Sequence, residues 1–213
     1  MPMAAPVLLP PLRDGDNLTR DEFMRRWEAM PDVKCAELID SVVYMPSPIS
    51  RIHGDYHSRM SIWLGTYATV TPECLMLDAG TWLMSGDSAP QPDLALCILP
   101  EHGGQSGEEG AYCAGAPELI VEISHTTSTK DTGVKLRLYE RSGVQEYLMV
   151  RPTKKQVTWL ELVDGKYQEI APDEDGLLRS RVFPGLWLDP KALWNRDLPG
   201  LAAAVQRGVA ARS

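Results

Sequence analysis

Long hydrophobic runs are missing from this chain of 213 residues. A membrane-crossing helix needs about 18 or more consecutive apolar residues, and no such run occurs, so the sequence predicts no transmembrane helix. The first dozen residues are apolar, but they lack a basic start and are broken by Pro2, Pro6, Pro10 and Pro11, which argues against a secretory signal. Cysteine is scarce: Cys35, Cys74, Cys97 and Cys113 lie far apart, and none forms a C-x-x-C pair. That excludes a zinc knuckle and a disulfide framework, and predicts reduced, packed thiols in a cytoplasmic protein. No internal repeat is present. There is no G-x-S-x-G elbow, and Ser124-His125 cannot act as a hydrolase dyad because neighbouring strand residues face opposite sides. His53 and His57 stand four apart, but no glutamate follows the first histidine, as a zinc H-E-x-x-H helix would require.

An excess of positive charge is also missing. The net charge is −8, which counts against coating nucleic acid by bulk electrostatics. The imbalance is uneven, however. Residues 125–155 hold seven basic side chains against three acidic ones, +4 in all, which leaves −12 for the rest. A basic segment inside an acidic chain permits local phosphate binding. Apolar and charged fractions of 44% and 23% are those of a folded globular chain.

What is present reads as one α/β domain over 18–213, a mixed central sheet flanked by helices, behind a proline-rich leader over 1–17. Thr19 can cap a helix over 20–30, with Phe23 and Trp27 facing inward. Short strands over 36–39 and 42–45 flank a turn at Asp40-Ser41. A helix over 52–68 would bury Met60, Trp63, Leu64 and Tyr67 at helical spacing. Apolar runs at 75–77, Leu94–Ile98, Leu119–Ile123 and 147–150 read as strands. A helix over 126–141 stops at Gly143, and a β pair follows over 157–162 and 167–170. The tail, 189–195 and 201–212, reads as helical. Residues 101–117 hold five glycines and no periodicity, and are expected to form a mobile loop with its ends near the site.

The chemistry is concentrated in three places. Alternation along Leu119–Ile123 puts Leu119, Val121 and Ile123 on one face, and Glu118, Ile120, Glu122 and Ser124 on the other. Glu122 therefore sits in a strand otherwise fit for burial, where a lone carboxylate must be protonated, paired or bound to a cation. Glu118 reads as a strand-entrance surface residue. Asp93 opens another strand after Pro92, on the same side as Ala95 and Cys97. Two converging strand carboxylates would make half a cage for a hard cation such as Mg²⁺ or Mn²⁺, with waters and a phosphate completing the shell. Asp131, Lys135 and Tyr139 are each four apart and share a helix face, while Val134 and Leu138 would seat that helix on the sheet. Lys135 could then point at the metal and at a reacting phosphate, or pair with Asp131 as an ordinary surface ion pair. Glu37 and His53 are further candidates for supporting the site.

Pro92-Asp93, then Glu122-x-Ser124 at a strand end, Asp131-x3-Lys135-x3-Tyr139 and Gly143-Val144-Gln145-Glu146-Tyr147 together resemble the Uma2 (Uma-two) family of restriction-endonuclease-like proteins in the PD-(D/E)XK nuclease superfamily. Glu37-Leu38-Ile39-Asp40 and His53-Gly54 resemble its N-terminal half. Ser41, His125 and Leu148 stand where that pattern expects glycine, proline and tryptophan. The resemblance implies a restriction-endonuclease-like fold and a Mg²⁺- or Mn²⁺-dependent endonuclease acting on DNA. Asp93 and Glu122 would be the metal carboxylates. The lysine expected two residues after the glutamate is replaced by Ser124, and its role passes to Lys135. A homodimer would suit the cutting of two strands. The competing expectation is a nuclease-fold binding or structural domain with little or no activity, which the acidic balance and the missing Glu-x-Lys favour.

Overall fold

In the computed structural model residues 9–45, 47–124 and 129–212 are described, the side chains of 129–132 excepted. The N-terminal half holds α1 (Arg20–Glu28), β1 (Glu37–Ile39), β2 (Val42–Tyr44), α2 (Arg51–Ala68), β3 (Cys74–Asp78), β4 (Trp82–Leu83) and β5 (Leu94–Ile98). Then come β6 (Gly107–Glu109), β7 (Tyr112–Ala114), β8 (Leu119–Ile123), α3 (Thr129–Ser142), β9 (Glu146–Arg151), β10 (Gln156–Val163) and β11 (Lys166–Glu169). The C-terminal part adds β12 (Leu178–Arg179), β13 (Trp187–Leu188), α4 (Pro190–Trp194) and α5 (Leu198–Ala210).

The apolar runs assemble into a six-stranded mixed sheet of order β11-β10-β9-β8-β5-β3. All its pairings are antiparallel except β8 with β9. A parallel pair cannot be joined by a tight turn and needs a crossover element, and α3 is that element. Both faces of the sheet are covered, as the alternation in β8 requires. Leu119, Val121 and Ile123 pack with Met60, Trp63, Leu64 and Tyr67 of α2 and with Leu201 and Val205 of α5. Ile120, with Ala95 and Cys97 of β5 and Tyr147 and Met149 of β9, packs against Leu138 and Tyr139 of α3. The four α2 side chains are at most 1% exposed, and each such burial contributes roughly 1.5–3 kcal/mol.

Local signals set the ends. Thr19 and Ser50 cap α1 and α2, accepting from the N–H groups of Glu22 (3.3 Å) and His53 (3.2 Å). Gly143 ends α3 at φ +85°. Asp40 and Ser41, both at positive φ, form the two-residue turn between β1 and β2. Such a turn favours glycine, which is the physical reason a glycine is expected where Ser41 stands; here the Ser41 N–H donates to the Asp87 carbonyl at 2.8 Å. Late in the chain, Gly208 of α5 lies backbone-to-backbone on Gly185, so that a Cβ on Gly208 would meet the Gly185 carbonyl oxygen at 2.2 Å. The described part of the leader is packed, with Leu12 buried beside Phe23 and Trp27. All four cysteines are free thiols. No helix among the described residues is long and apolar enough to cross a membrane.

Three expectations are corrected. Residues 101–117 are not a loose loop: β6 and β7 form a hairpin that continues onto β4 as a three-stranded sheet. Short strands of low hydrophobicity, joined by a two-residue turn at Gly110-Ala111, leave no periodic signal. The ends of this segment also lie away from Asp93 and Glu122, because it leaves the C-terminal end of β5 and enters the N-terminal end of the antiparallel β8. Glu118 is not a surface residue. It is 1% exposed and accepts from the backbone N–H groups of Ile98 (2.9 Å) and Gln105 (2.8 Å). Its carboxylate ties the start of the 101–117 segment to the entrance of β8. The pairs β4–β7 and β12–β13 are two residues long at each contact, too short for alternation to announce them.

Candidate active site

Strand register brings the carboxylates together. Leu94 pairs with Val121 across β5 and β8, so one further step sets Asp93 beside Glu122, on the sheet face that α3 covers. Asp93 is fixed at both oxygens: Oδ2 accepts from the Ile123 N–H at 2.6 Å, and Oδ1 lies 3.2 Å from His53 Nε2. His53 Nδ1 is 3.1 Å from the Ile123 carbonyl oxygen, so one ring spans the ends of both strands from the α2 side. One turn on, His57 Nε2 is 3.2 Å from Asp78 Oδ1 and 3.3 Å from the Asp93 carbonyl oxygen. The two imidazoles stack at 6.0 Å.

Glu122 is met from the other side. Lys135 Nζ and the Tyr139 hydroxyl, one helical turn apart on α3, donate to Glu122 Oε1 at 2.9 and 2.8 Å. Lys135 also reaches Glu37 Oε1 of β1 at 2.8 Å, and that same oxygen accepts from the Gln91 N–H at 2.7 Å. Glu37 therefore links the segment leading into Asp93 with the helix that bears Lys135. Side-chain exposures are 19% for Asp93, 14% for Glu122 and 17% for both Lys135 and Glu37. The cluster is largely withdrawn from water yet reachable. It holds three carboxylates against one ammonium, a formal −2 when all three are ionised and His53 is neutral.

The electrostatics follow from that crowding. Burial pushes the Glu122 carboxyl up to about 7; Lys135 opposes the rise, and Asp93 and Glu37 add to it. Burial alone would lower the Lys135 pKa, but the Glu122 and Glu37 carboxylates outweigh it and hold the ammonium well above its ordinary value. Burial raises the Tyr139 hydroxyl, and the two glutamates raise it further. His53 is raised by its bond to Asp93, against a smaller opposing effect of burial.

The structure thus gathers Asp93, Glu122, Lys135, Tyr139, Glu37 and His53 at one end of the sheet. Lys135 is not a solvated surface lysine; its ion pairs are with Glu37 and Glu122. Ser124 extends β8, its N–H donating to the Val150 carbonyl at 2.9 Å. The Asp131 side chain lies outside the described residues. Sequence reasoning missed His57 with Asp78. The signal was the His53–His57 spacing, which pointed to zinc alone, while only His53 was named as a support for the site.

Comparison with known proteins gives the family and the fold. The Uma2 family model, described as "putative restriction endonuclease", matches residues 20–191. The chain belongs to that family. No curated protein matches it. Among solved structures, a crystal structure titled as a putative nuclease belonging to DUF820 from Anabaena variabilis ATCC 29413 superposes with a TM-score of 0.66 at 18% sequence identity. The match covers 84% of this chain and 98% of that one. At that identity the likeness establishes a shared restriction-endonuclease-like fold.

Proposed function

We propose that this Uma2 protein is a metal-dependent endonuclease that hydrolyses DNA phosphodiester bonds, with Asp93 and Glu122 holding Mg²⁺ or Mn²⁺. The observation that carries this reading is the convergence of two strand-end carboxylates with the Lys135 ammonium, 2.9 Å from Glu122, inside a family of restriction-endonuclease type.

The donor set suits a hard cation. Both groups are carboxylates, and Mg²⁺ accepts one or two of these while keeping waters and substrate phosphate. A carboxylate offers about four acceptor positions, so hydrogen bonds to His53 and the Ile123 N–H leave Asp93 further lone pairs. Among the described residues no group of three or more His, Cys, Asp or Glu side chains is placed to hold a metal ion, so the proposed ion would rest on these two carboxylates, with waters and phosphate in its other positions. Bound there, the ion would supply Lewis-acid chemistry, acidifying a water and offsetting charge on the phosphoryl oxygens.

The chain's own groups do the rest. His53 and the Ile123 N–H orient Asp93 from opposite sides. Tyr139 and Lys135 hold Glu122 at one oxygen. Glu37 tethers Lys135, so the ammonium stays in place when the Glu122 charge is shared with a cation. It can then donate to a phosphate oxygen as negative charge builds on it.

The test is a thermal-shift titration of Mn²⁺ paired with a plasmid-nicking assay. Native protein should gain melting temperature saturably and nick the plasmid, and Asp93→Ala should do neither. Native protein that binds Mn²⁺ but leaves the plasmid intact would mark a nuclease fold kept for binding. Equal metal stabilisation of native and Asp93→Ala protein would remove the assignment.

A further inference from the structure

The face of α2 away from the carboxylates carries an arginine cluster to which the site assigns no task. At about 100° per residue, Arg51, Asp55, Arg59 and Ile62 lie on the side of the helix opposite His53. They line a cleft of about 370 Å³, which continues into a second of about 210 Å³ against Pro152 and Thr153. Arg196, from the turn between α4 and α5, lines both. Pro152 and Thr153 follow β9, which runs parallel to β8 with Ile123 opposite Val150. The cleft therefore opens at the same end of the sheet as Asp93 and Glu122.

Its charge is unlike that of the chain as a whole. Three arginines face one carboxylate: Asp55 accepts from both Arg59 and Arg196, the latter at 3.0 Å. Arg59 is 3% exposed and is also fixed by the Leu193 carbonyl at 2.7 Å and by the Tyr56 ring. It is a rigid base for the cleft. Arg51 has no ion pair or hydrogen-bond partner among the described residues, and it stands in the first turn of α2, which contains no acidic residue. That turn is the positive end of the helix dipole. Arg196 sits at φ +59°, in the left-handed region that favours glycine, and holding a larger residue there costs on the order of 1 kcal/mol. Ile52, Ile62 and Leu198, exposed by 37%, 41% and 37%, give the cleft apolar walls.

We propose that this arginine cleft docks the phosphate backbone of the nucleic-acid strand that runs on from the carboxylate site. A guanidinium matches a phosphate in charge and in its forked geometry, and Arg51 and Arg196 present theirs to solvent. A helix with its side chains is about 10–12 Å across. A strand leaving Asp93 and Glu122 at about 3.4 Å per nucleotide therefore reaches the cleft after roughly three or four nucleotides. A local +2 inside a chain of −8 accounts for nucleic-acid binding without a basic surface overall. The assignment rests on the nuclease reading above.

The experiment is fluorescence anisotropy of a labelled mixed-sequence duplex over a potassium chloride series. Calcium is present, because it takes the same hard oxygen ligands as magnesium. Native protein is compared with Arg51→Ala and Arg196→Gly, the latter relieving the backbone strain while removing the side chain. Each variant should bind about three- to tenfold more weakly, and the slope of log K against log salt should flatten by about one phosphate contact. The Mn²⁺-induced rise in melting temperature should match that of native protein, because neither residue touches Asp93 or Glu122. Native-like affinity and slope in both variants would overturn the cleft and leave the nuclease reading standing. So would a change in oligomeric state without a change in affinity, which would make the face a contact between copies of the chain. Native protein that binds no duplex would overturn both.

Discussion

One glutamate stands just before strand β8 and another at its penultimate position, and the two have opposite fates. Glu118, at the entrance, is 1% exposed and spends its carboxylate on two backbone N–H groups, those of Ile98 and Gln105. Glu122, near the exit, is 14% exposed and meets the side chains of Lys135 and Tyr139 instead, with the Asp93 charge acting on it from across the strand pair. Glu146, which opens β9, is of the first kind. It is fully buried and accepts from Ser180 Oγ and from the N–H groups of Arg181 and Val182. Backbone donors are fixed and neutral, so they lock a carboxylate as a clamp between segments. Charged and titratable partners can reorganise when a cation or a phosphate arrives. The comparison separates structural from chemical carboxylates by who satisfies them rather than by how deeply they lie.

The sharpest way to break that contrast is to neutralise each glutamate in turn. Glu122→Gln should cost at least about a hundredfold in metal-dependent cleavage, because an acceptor that faces the reacting centre is removed. It should also lose most of the Mn²⁺-induced rise in melting temperature. Glu118→Ala should instead lower folding stability by about 1–3 kcal/mol in urea denaturation, since two partly buried N–H groups lose their acceptor, while keeping the metal increment. Equal metal responses in the two variants would erase the distinction.

Lys135→Ala tests the middle of the site. The cleavage rate should fall by at least about tenfold, as for loss of one donor to a developing charge. Lys135 separates Glu37 from Glu122, so its removal also leaves two mostly buried carboxylates facing each other. The metal-free variant should then be less stable by about 1.5–3 kcal/mol, the worth of a hydrogen bond to a charged group, and Mn²⁺ should recover part of the deficit. A variant as stable and as active as native protein would return Lys135 to the surface.

The pH dependence is gentler. Glu122 ionises at about 7 in the fold against an ordinary 4.5. The fold therefore prefers its protonated form, and the resulting stabilisation is full below about 4.5 and lost as pH rises through about 7. His53 is also raised, so its contribution is full below its ordinary value and likewise fades with rising pH. Melting temperatures of metal-free protein, followed from pH 5 to 8, should decline from these two groups, and the Mg²⁺ increment should grow over the same interval as Glu122 becomes ionised. A metal increment that is flat with pH would place the metal elsewhere.

The smallest effect concerns the 101–117 segment. The Cys113 and Gly115 amides donate to the Thr81 and Leu83 carbonyls at 3.1 and 3.0 Å, so hydrogen exchange there should be slow in free protein. Because the segment joins the far ends of β5 and β8, adding DNA and metal should leave it unchanged. Fast exchange in free protein would restore the mobile loop that its composition suggests.

Much of the fold was legible because burial leaves a periodic trace. The period of two in Leu119–Ile123 foretold that Ile120 and Val121 pack against different layers, and the helical spacing of Met60, Trp63, Leu64 and Tyr67 foretold how α2 seats. The same alternation put Glu118 and Glu122 on one face, and the four-residue spacing put Lys135 and Tyr139 on another. Periodicity says which way a side chain points, not what stands opposite. The approach of His53 to Asp93, the Glu37 carboxylate that holds Lys135, the burial of Glu118 and the meeting of Arg51, Arg59 and Arg196 all join residues distant in the chain. Only the tertiary structure decided them, because a buried charge takes its partner from whatever element the packing brings alongside, and that choice is made by the core as a whole.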